Sequence, residues 1–190
     1  MEPVIAWHTE HVYFNQLLSL LQKQVDVFHR GGQPNYELMQ DIITYLRDYS
    51  DRLHHPREDV AFARLARHCP DLDLVLARLA QEHRVIAHAG EKLLEQLAAI
   101  VGGAVVPRAE LEVAAATYLV YYGNHIAKEE EDVLTRAAKT LTPEDRLQLS
   151  GYVEKILQKE AFTRDELLIE VRQLVERCIR QAGGKSGWVI

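Results

Sequence analysis

A histidine followed four residues later by a glutamate occurs twice in this chain, with a basic residue just before the glutamate each time: His54-x2-Arg57-Glu58 and His125-x2-Lys128-Glu129. Positions i and i+4 share one face of an α-helix, one turn apart, so each pair can hold one cation from a single helix. Each copy also has an earlier histidine, in Glu10-His11 and in Glu82-His83. His11 to His54 spans 43 residues and His83 to His125 spans 42. Such a duplication limits the fold severely. Two helix pairs must face each other so that His11, His54, Glu58, His83, His125 and Glu129 converge on one metal site.

Hydrophobic periodicity places each of these residues on a buried face. A first helix from about Trp7 to His29 carries His11 in register with Phe14, Leu18, Leu21, Val25 and Phe28, at steps of three or four. Gly31-Gly32-Gln33-Pro34 ends it, because glycine takes the left-handed cap and proline cannot continue the helix. A second helix begins near Asn35 and buries Ile42, Ile43, Leu46 and Tyr49, then Leu53 or His54, Glu58, Phe62 and Leu65. Pro56 lies inside it and predicts a kink or a restart, since it removes a backbone donor and crowds the preceding turn. Asp71 is the expected N-cap of a third helix. That helix carries Leu72, Leu76, Leu79, His83, Ile86, Gly90, Leu94 and Leu97 on one stripe and closes at Gly102-Gly103. A fourth starts near Pro107 and presents Leu111, Ala115, Tyr118, Tyr122, His125, Glu129 and Val133 on its way to Thr140. Two more helices are expected, one beginning at Thr142-Pro143-Glu144-Asp145 and one at the capping-box pattern Thr163 to Glu166. The latter buries Leu167, Leu168, Val171, Leu174, Val175 and Cys178. No run of period-two alternation argues for a sheet.

The expected fold is therefore all-α, an up-down-up-down four-helix bundle with two additional C-terminal helices. Residues 1–140 form the metal-binding bundle. Residues 141–190 form an extension that packs on the bundle or makes a homodimer contact.

Composition removes several function classes. A net charge of −6 with no basic tract speaks against nucleic acid. No apolar run approaches the roughly 20 residues of a membrane span, and the N-terminus shows no basic and apolar signal pattern. Two cysteines outside the repeat, Cys69 and Cys178, make neither a disulfide framework nor an iron–sulfur site, and a reducing cytoplasm is the compartment expected.

Imidazole and carboxylate donors suit iron, manganese or zinc, whereas soft-metal sites want thiolates. A single zinc ion is satisfied by four ligands, and six are available here. Two opposed carboxylates can bridge two metals, four imidazoles then divide two to each, and room is left for a small molecule. His55 competes with His54 or adds to it, depending on how Pro56 turns the chain. His8, one turn before His11, is a further candidate ligand or a surface residue. Ligating histidines usually give their other N–H to a carboxylate or carbonyl. Glu10 and Glu82, each beside a candidate ligand, could play that part or be solvated. Tyr118 and Tyr122 are core residues or donors to a bound species. Glu130, Glu131 and Asp132 are most simply a solvated face, and His29, His68 and His88 are ordinary.

The order Glu10-His11, His54-x3-Glu58, Glu82-His83, His125-x3-Glu129 resembles the haemerythrin-like, HHE cation-binding family over roughly residues 8 to 135. The resemblance implies a non-haem di-iron centre in a four-helix bundle, with two iron ions as cofactor, manganese or zinc as substitutes, and a small diatomic gas or peroxide as partner. Oxygen-carrying members add a second histidine four residues after the third-helix ligand. That position is Ala87 here, and His88 lies about 140° round the helix from His83. The pattern looks more like the branch associated with nitric oxide or oxidative stress and repair of iron centres. An iron or redox sensor, an iron store, and a di-iron peroxidase or oxidase are the alternatives.

Overall fold

The computed structural model of the chain describes residues 3–149. Among those residues there are helices and connections and no strand. The α-helices with both ends among the described residues are α1 Pro3–His29, α2 Tyr36–Tyr45, α3 His55–His68, α4 Asp73–Val101, α5 Arg108–Lys128 and α6 Thr135–Thr140. Two of the junctions are not loops. A π-helical segment, Leu46–His54, carries α2 into α3, and a second, Glu129–Leu134, carries α5 into α6. The resulting long runs pack as a bundle, α1 against α2 and α5, and α4 against α2, α3 and α5.

Local chemistry sets the ends. The chain is already helical at Pro3, four residues ahead of the start expected at Trp7. Gly31 closes α1 at φ 78° and Gly103 follows α4 at φ 88°, a region where side chains are disfavoured. Asn35 caps α2, its Oδ1 accepting from the Leu38 amide at 2.9 Å. Asp71 does not cap α4. A 3₁₀ turn over Pro70–Leu72 intervenes, and the Asp71 carboxylate pairs instead with Arg136. On α4 the buried leucine is Leu93 rather than Leu94, one position off the expected stripe.

Pro56 explains the first π-helical segment. The His55 amide donates to the Ser50 carbonyl, five residues back, so the widened turn takes in one extra residue before the proline. Pro56 then follows directly in the first turn of α3, so its missing N–H falls at the widened turn rather than in the middle of a regular α-helical ladder. The expected restart is thus at His55. The second π-helical segment has no proline to announce it and lies inside what reads as one continuous helix to Thr140.

Apolar residues form two clusters, one on each side of a polar belt. Phe14, Ile42, Leu53, Ile86, Tyr118 and Tyr122 belong to the larger. Trp7, Phe62, Leu65, Leu79, Val133 and Leu149 belong to the smaller. The belt falls between Trp7 and Phe14 on α1 and between Leu79 and Ile86 on α4. Thr142 and Asp145 cap the next helix reciprocally, the Asp145 carboxylate accepting from the Thr142 amide at 3.1 Å and the Thr142 hydroxyl accepting from the Asp145 amide at 3.2 Å. That helix runs over 143–149, where the described residues end. The start at Thr163, the stripe Leu167 to Cys178 and the end at Gly183-Gly184 lie outside the described residues.

Candidate metal centre

The polar belt holds seven side chains from the helical runs. His11 comes from α1, His54 from the end of the first π-helical segment, and His55 and Glu58 from the first turn of α3. His83 comes from α4, His125 from α5 and Glu129 from the start of the second π-helical segment. None exposes more than 4% of its surface. His54 and His55 are neighbours in the chain, and an α-helix would turn them about 100° apart. Here both rings enter the cavity, their centroids 5.7 Å apart.

Donor atoms gather in two groups, each with all its donors within 4.8 Å of one another: His11, His54, Glu58 and Glu129, and His55, Glu58, His83 and His125. Glu58 belongs to both. Its Oε1 is 2.6 Å from His54 Nε2 and 3.3 Å from His11 Nε2, while its Oε2 is 3.3 Å from His83 Nε2. Glu129 mirrors it. Its Oε2 is 3.1 Å from His11 Nε2, and its Oε1 is 3.3 Å from His125 Nε2 and 3.7 Å from His83 Nε2. Each carboxylate therefore turns one oxygen toward each half of the cavity.

Several of these atoms lack a hydrogen bond. Glu58 Oε2, both oxygens of Glu129, His83 Nε2 and His125 Nε2 are buried and unpartnered. Buried polar atoms without partners are rare, and each costs about 1–3 kcal/mol. Four of the five, Glu58 Oε2, Glu129 Oε1, His83 Nε2 and His125 Nε2, lie on the His83–His125 side and the fifth, Glu129 Oε2, faces His11; all are oxygens or ring nitrogens that bound cations would satisfy. The donor set suits a borderline divalent metal such as iron, manganese or zinc.

Every cavity histidine has a carboxylate behind it. Nδ1 of His11 donates to Glu130 at 2.7 Å, of His54 to Glu10 at 2.6 Å, of His83 to Asp59 at 2.9 Å and of His125 to Glu82 at 3.2 Å. These bonds hold Nδ1 as the protonated nitrogen and leave Nε2 facing inward. His55 differs. Its Nδ1 is 3.2 Å from Asp51 without hydrogen-bond alignment, and its Nε2 meets Ser50 Oγ at 3.1 Å. Ser50 in turn bonds the Tyr122 hydroxyl.

Glu10 and Glu82 do stand behind histidines, but crosswise: Glu10 serves His54 and Glu82 serves His125. Glu130, expected on a solvated face, supports His11. Asp51 and Asp59 were not anticipated, although Asp51 precedes His55 by four residues, which is a readable signal. His8 lies outside the cavity, its side chain 59% exposed and its Nδ1 2.9 Å from Glu130. Tyr118 is buried edge-on against Tyr122 at 5.6 Å and touches no cavity histidine ring.

The field inside the cavity is divided. Burial resists ionisation of Glu58, but His54, His11 and His83 together hold its carboxyl well below the usual carboxylate range. Glu129 is lowered in the same way by His125 and His11, against burial and the nearby charge of Glu58. Burial works against protonated His83, yet Asp59, Glu129 and Glu58 raise it to about 11. His11 is likewise raised well above the ordinary imidazole value, against burial, by Glu129, Glu130 and Glu58. His55 is pushed well below that value by burial and by His83. Both upward shifts favour positive charge on His11 and His83, where a cation's charge would stand.

The family model described as Hemerythrin HHE cation binding domain matches residues 2–137. No curated protein and no solved structure matches the chain.

Proposed function

We propose, for a chain that belongs to the Hemerythrin HHE cation binding domain family, that the cavity holds two iron ions bridged by Glu58 and Glu129 and that the centre binds or reacts with a small oxidant or gas. His11 and His54 would hold one ion. His55, His83 and His125 would hold the other. The observation that carries this reading is the way each glutamate presents one oxygen to each group of histidines while five of the surrounding atoms lack partners. A single ion would leave one side of both carboxylates unused.

His55 answers the departure at Ala87. The imidazole missing from α4 is supplied from the start of α3, where His55 stacks on His83 at 4.2 Å. When bound, iron would supply the redox and ligand-binding chemistry. The protein orients the imidazoles through their carboxylates and excludes bulk water with Trp7, Phe14 and Phe62, which pack against the rings of His11, His54 and His83. Burial of every donor favours a diatomic gas or peroxide over a larger substrate. Among the described residues no helix is long and apolar enough to cross a membrane, and we place the protein in the reducing cytoplasm. The same reading takes residues 1–140 as an up-down-up-down bundle and residues 141–190 as an extension to it.

Elemental analysis after expression in iron-replete medium, with optical spectra under air, peroxide and nitric oxide, tests the proposal. About two irons per chain and a spectrum that responds to at least one of these molecules are expected. Less than about one transition metal per chain would remove it.

A further inference from the structure

The basic residue of the repeated motif meets two different environments. Lys128 is exposed, and its Nζ pairs with Asp132 at 2.6 Å, one turn along the helix. Arg57 is 6% exposed and turns its guanidinium onto Glu10. Arg57 Nη1 donates to Glu10 Oε1 at 3.2 Å, and Nη2 pairs closely with Oε2. The same carboxylate accepts from His54 Nδ1 at 2.6 Å and from the Tyr49 hydroxyl at 3.0 Å. Among the described residues no other cavity histidine has a buried arginine or lysine against its carboxylate. The groups paired with Glu82 and Glu130 on their outer side are Arg78, 77% exposed, and His8, 59% exposed.

We infer that Arg57 is a positioning residue that cancels the charge of Glu10 where Glu10 meets His54, making the His11–His54 half of the centre the more readily reduced one. A carboxylate behind a ligating imidazole raises its donor strength, which favours the oxidised metal. An arginine gripping that carboxylate with two donors draws the electron density back. The positive charge of Arg57, held away from solvent, adds a field of the same sign, since screening is weak there. The other half has imidazoles backed by Asp59 and Glu82 with no such cation. Outer hydrogen bonds and local charge are among the means by which proteins set iron potentials.

This inference rests on the cavity being an iron centre, and the experiment separates the two. Iron content is measured first, then the two reduction steps by spectroelectrochemical titration, for the full chain and for Arg57→Gln, Arg57→Lys, Lys128→Gln and the double variant Glu10→Gln/Arg57→Gln. Arg57→Gln is expected to move one reduction equilibrium at least about tenfold toward the oxidised state, ~59 mV for one electron. Arg57→Lys, which keeps the charge, is expected within about threefold of the parent, and Lys128→Gln within about twofold. The double variant leaves no buried charge unpaired, so it decides the matter if Arg57→Gln does not fold. If Arg57 already cancels Glu10, replacing both by neutral residues keeps the potential within about threefold. An unchanged potential in Arg57→Gln, or a tenfold shift toward the reduced state in the double variant, overturns the inference while the iron centre stands. A parent chain that takes up no iron overturns both.

Discussion

Glu82 adjoins His83 in the chain, yet its carboxylate lies 3.2 Å from Nδ1 of His125 on the neighbouring helix. Residues next to each other on a helix diverge by about 100°, so a glutamate beside an inward histidine cannot easily reach back to it. It reaches the adjacent helix instead. Glu82→Gln is expected to weaken iron binding about tenfold through His125. Folding stability should change by less than about 0.5 kcal/mol, because Glu82 is partly solvated and its pair with exposed Arg78 contributes little. A chelator competition assay reads the first quantity and thermal melting of the metal-free protein the second. An affinity equal to that of the exposed-site control Glu91→Gln would count against the assignment.

Protons on the metal-free cavity give a pH dependence with a definite sign. His83 is raised to about 11, so it holds a proton at neutral pH, and His11 is shifted in the same direction. The stability they contribute is fully present below the ordinary imidazole value and declines as pH rises through the folded values. A metal must displace protons from these imidazoles, so binding at pH 7 should release at least about one and affinity should climb with pH. Calorimetric titration of a divalent metal in buffers of different ionisation enthalpy measures the release. Uptake with no proton released would show that the two imidazoles are neutral before the metal arrives.

His55 supplies a third test. If it provides the third imidazole on the His83–His125 side, His55→Ala should cost that side at least about tenfold in affinity, and the metal content of the isolated protein should fall toward one ion per chain. His8→Ala should leave content unchanged, since His8 is exposed, pairs with Glu130 and belongs to neither donor group. Equal contents in the two variants would return His55 to the role of a packing residue.

These three cases also show where the chain was readable as a string. The stripe Leu111, Ala115, Tyr118, Tyr122, His125, Glu129, Val133 is buried throughout, because helical period and burial are one signal. Tertiary contacts were the part that spacing could not carry. His54 and His55 could not be ranked, because a π-helical turn ahead of Pro56 admits both. Glu130 reads as one of four successive acids, and the second π-helical turn, which no residue type announces, lies where it reaches His11. Arg57 and Lys128 occupy equivalent places in the motif, and only the packing of α1 against the α2–α3 run separates them.

The core beside the cavity offers a prediction in which two magnitudes oppose. Gly90 lies inside α4, where alanine would raise helix propensity by about 1 kcal/mol. A Cβ there would stand 2.9 Å from Tyr118 Cε2 and 3.6 Å from Cδ2. Tyr118 is 1% exposed and held edge-on to Tyr122, whose hydroxyl is tied to Ser50, so the ring has little freedom to yield. Overpacking of this kind costs about 1–3 kcal/mol and outweighs the propensity gain. Gly90→Ala should therefore lose about 1 kcal/mol net, a fall in Tm of about 2–4 °C for a chain of this size. Displacement of Tyr118 would pass through Tyr122 and Ser50 to His55, so the spectrum of the iron-loaded variant should shift as well. A variant that melts at or above the parent would mean that Tyr118 moves aside freely.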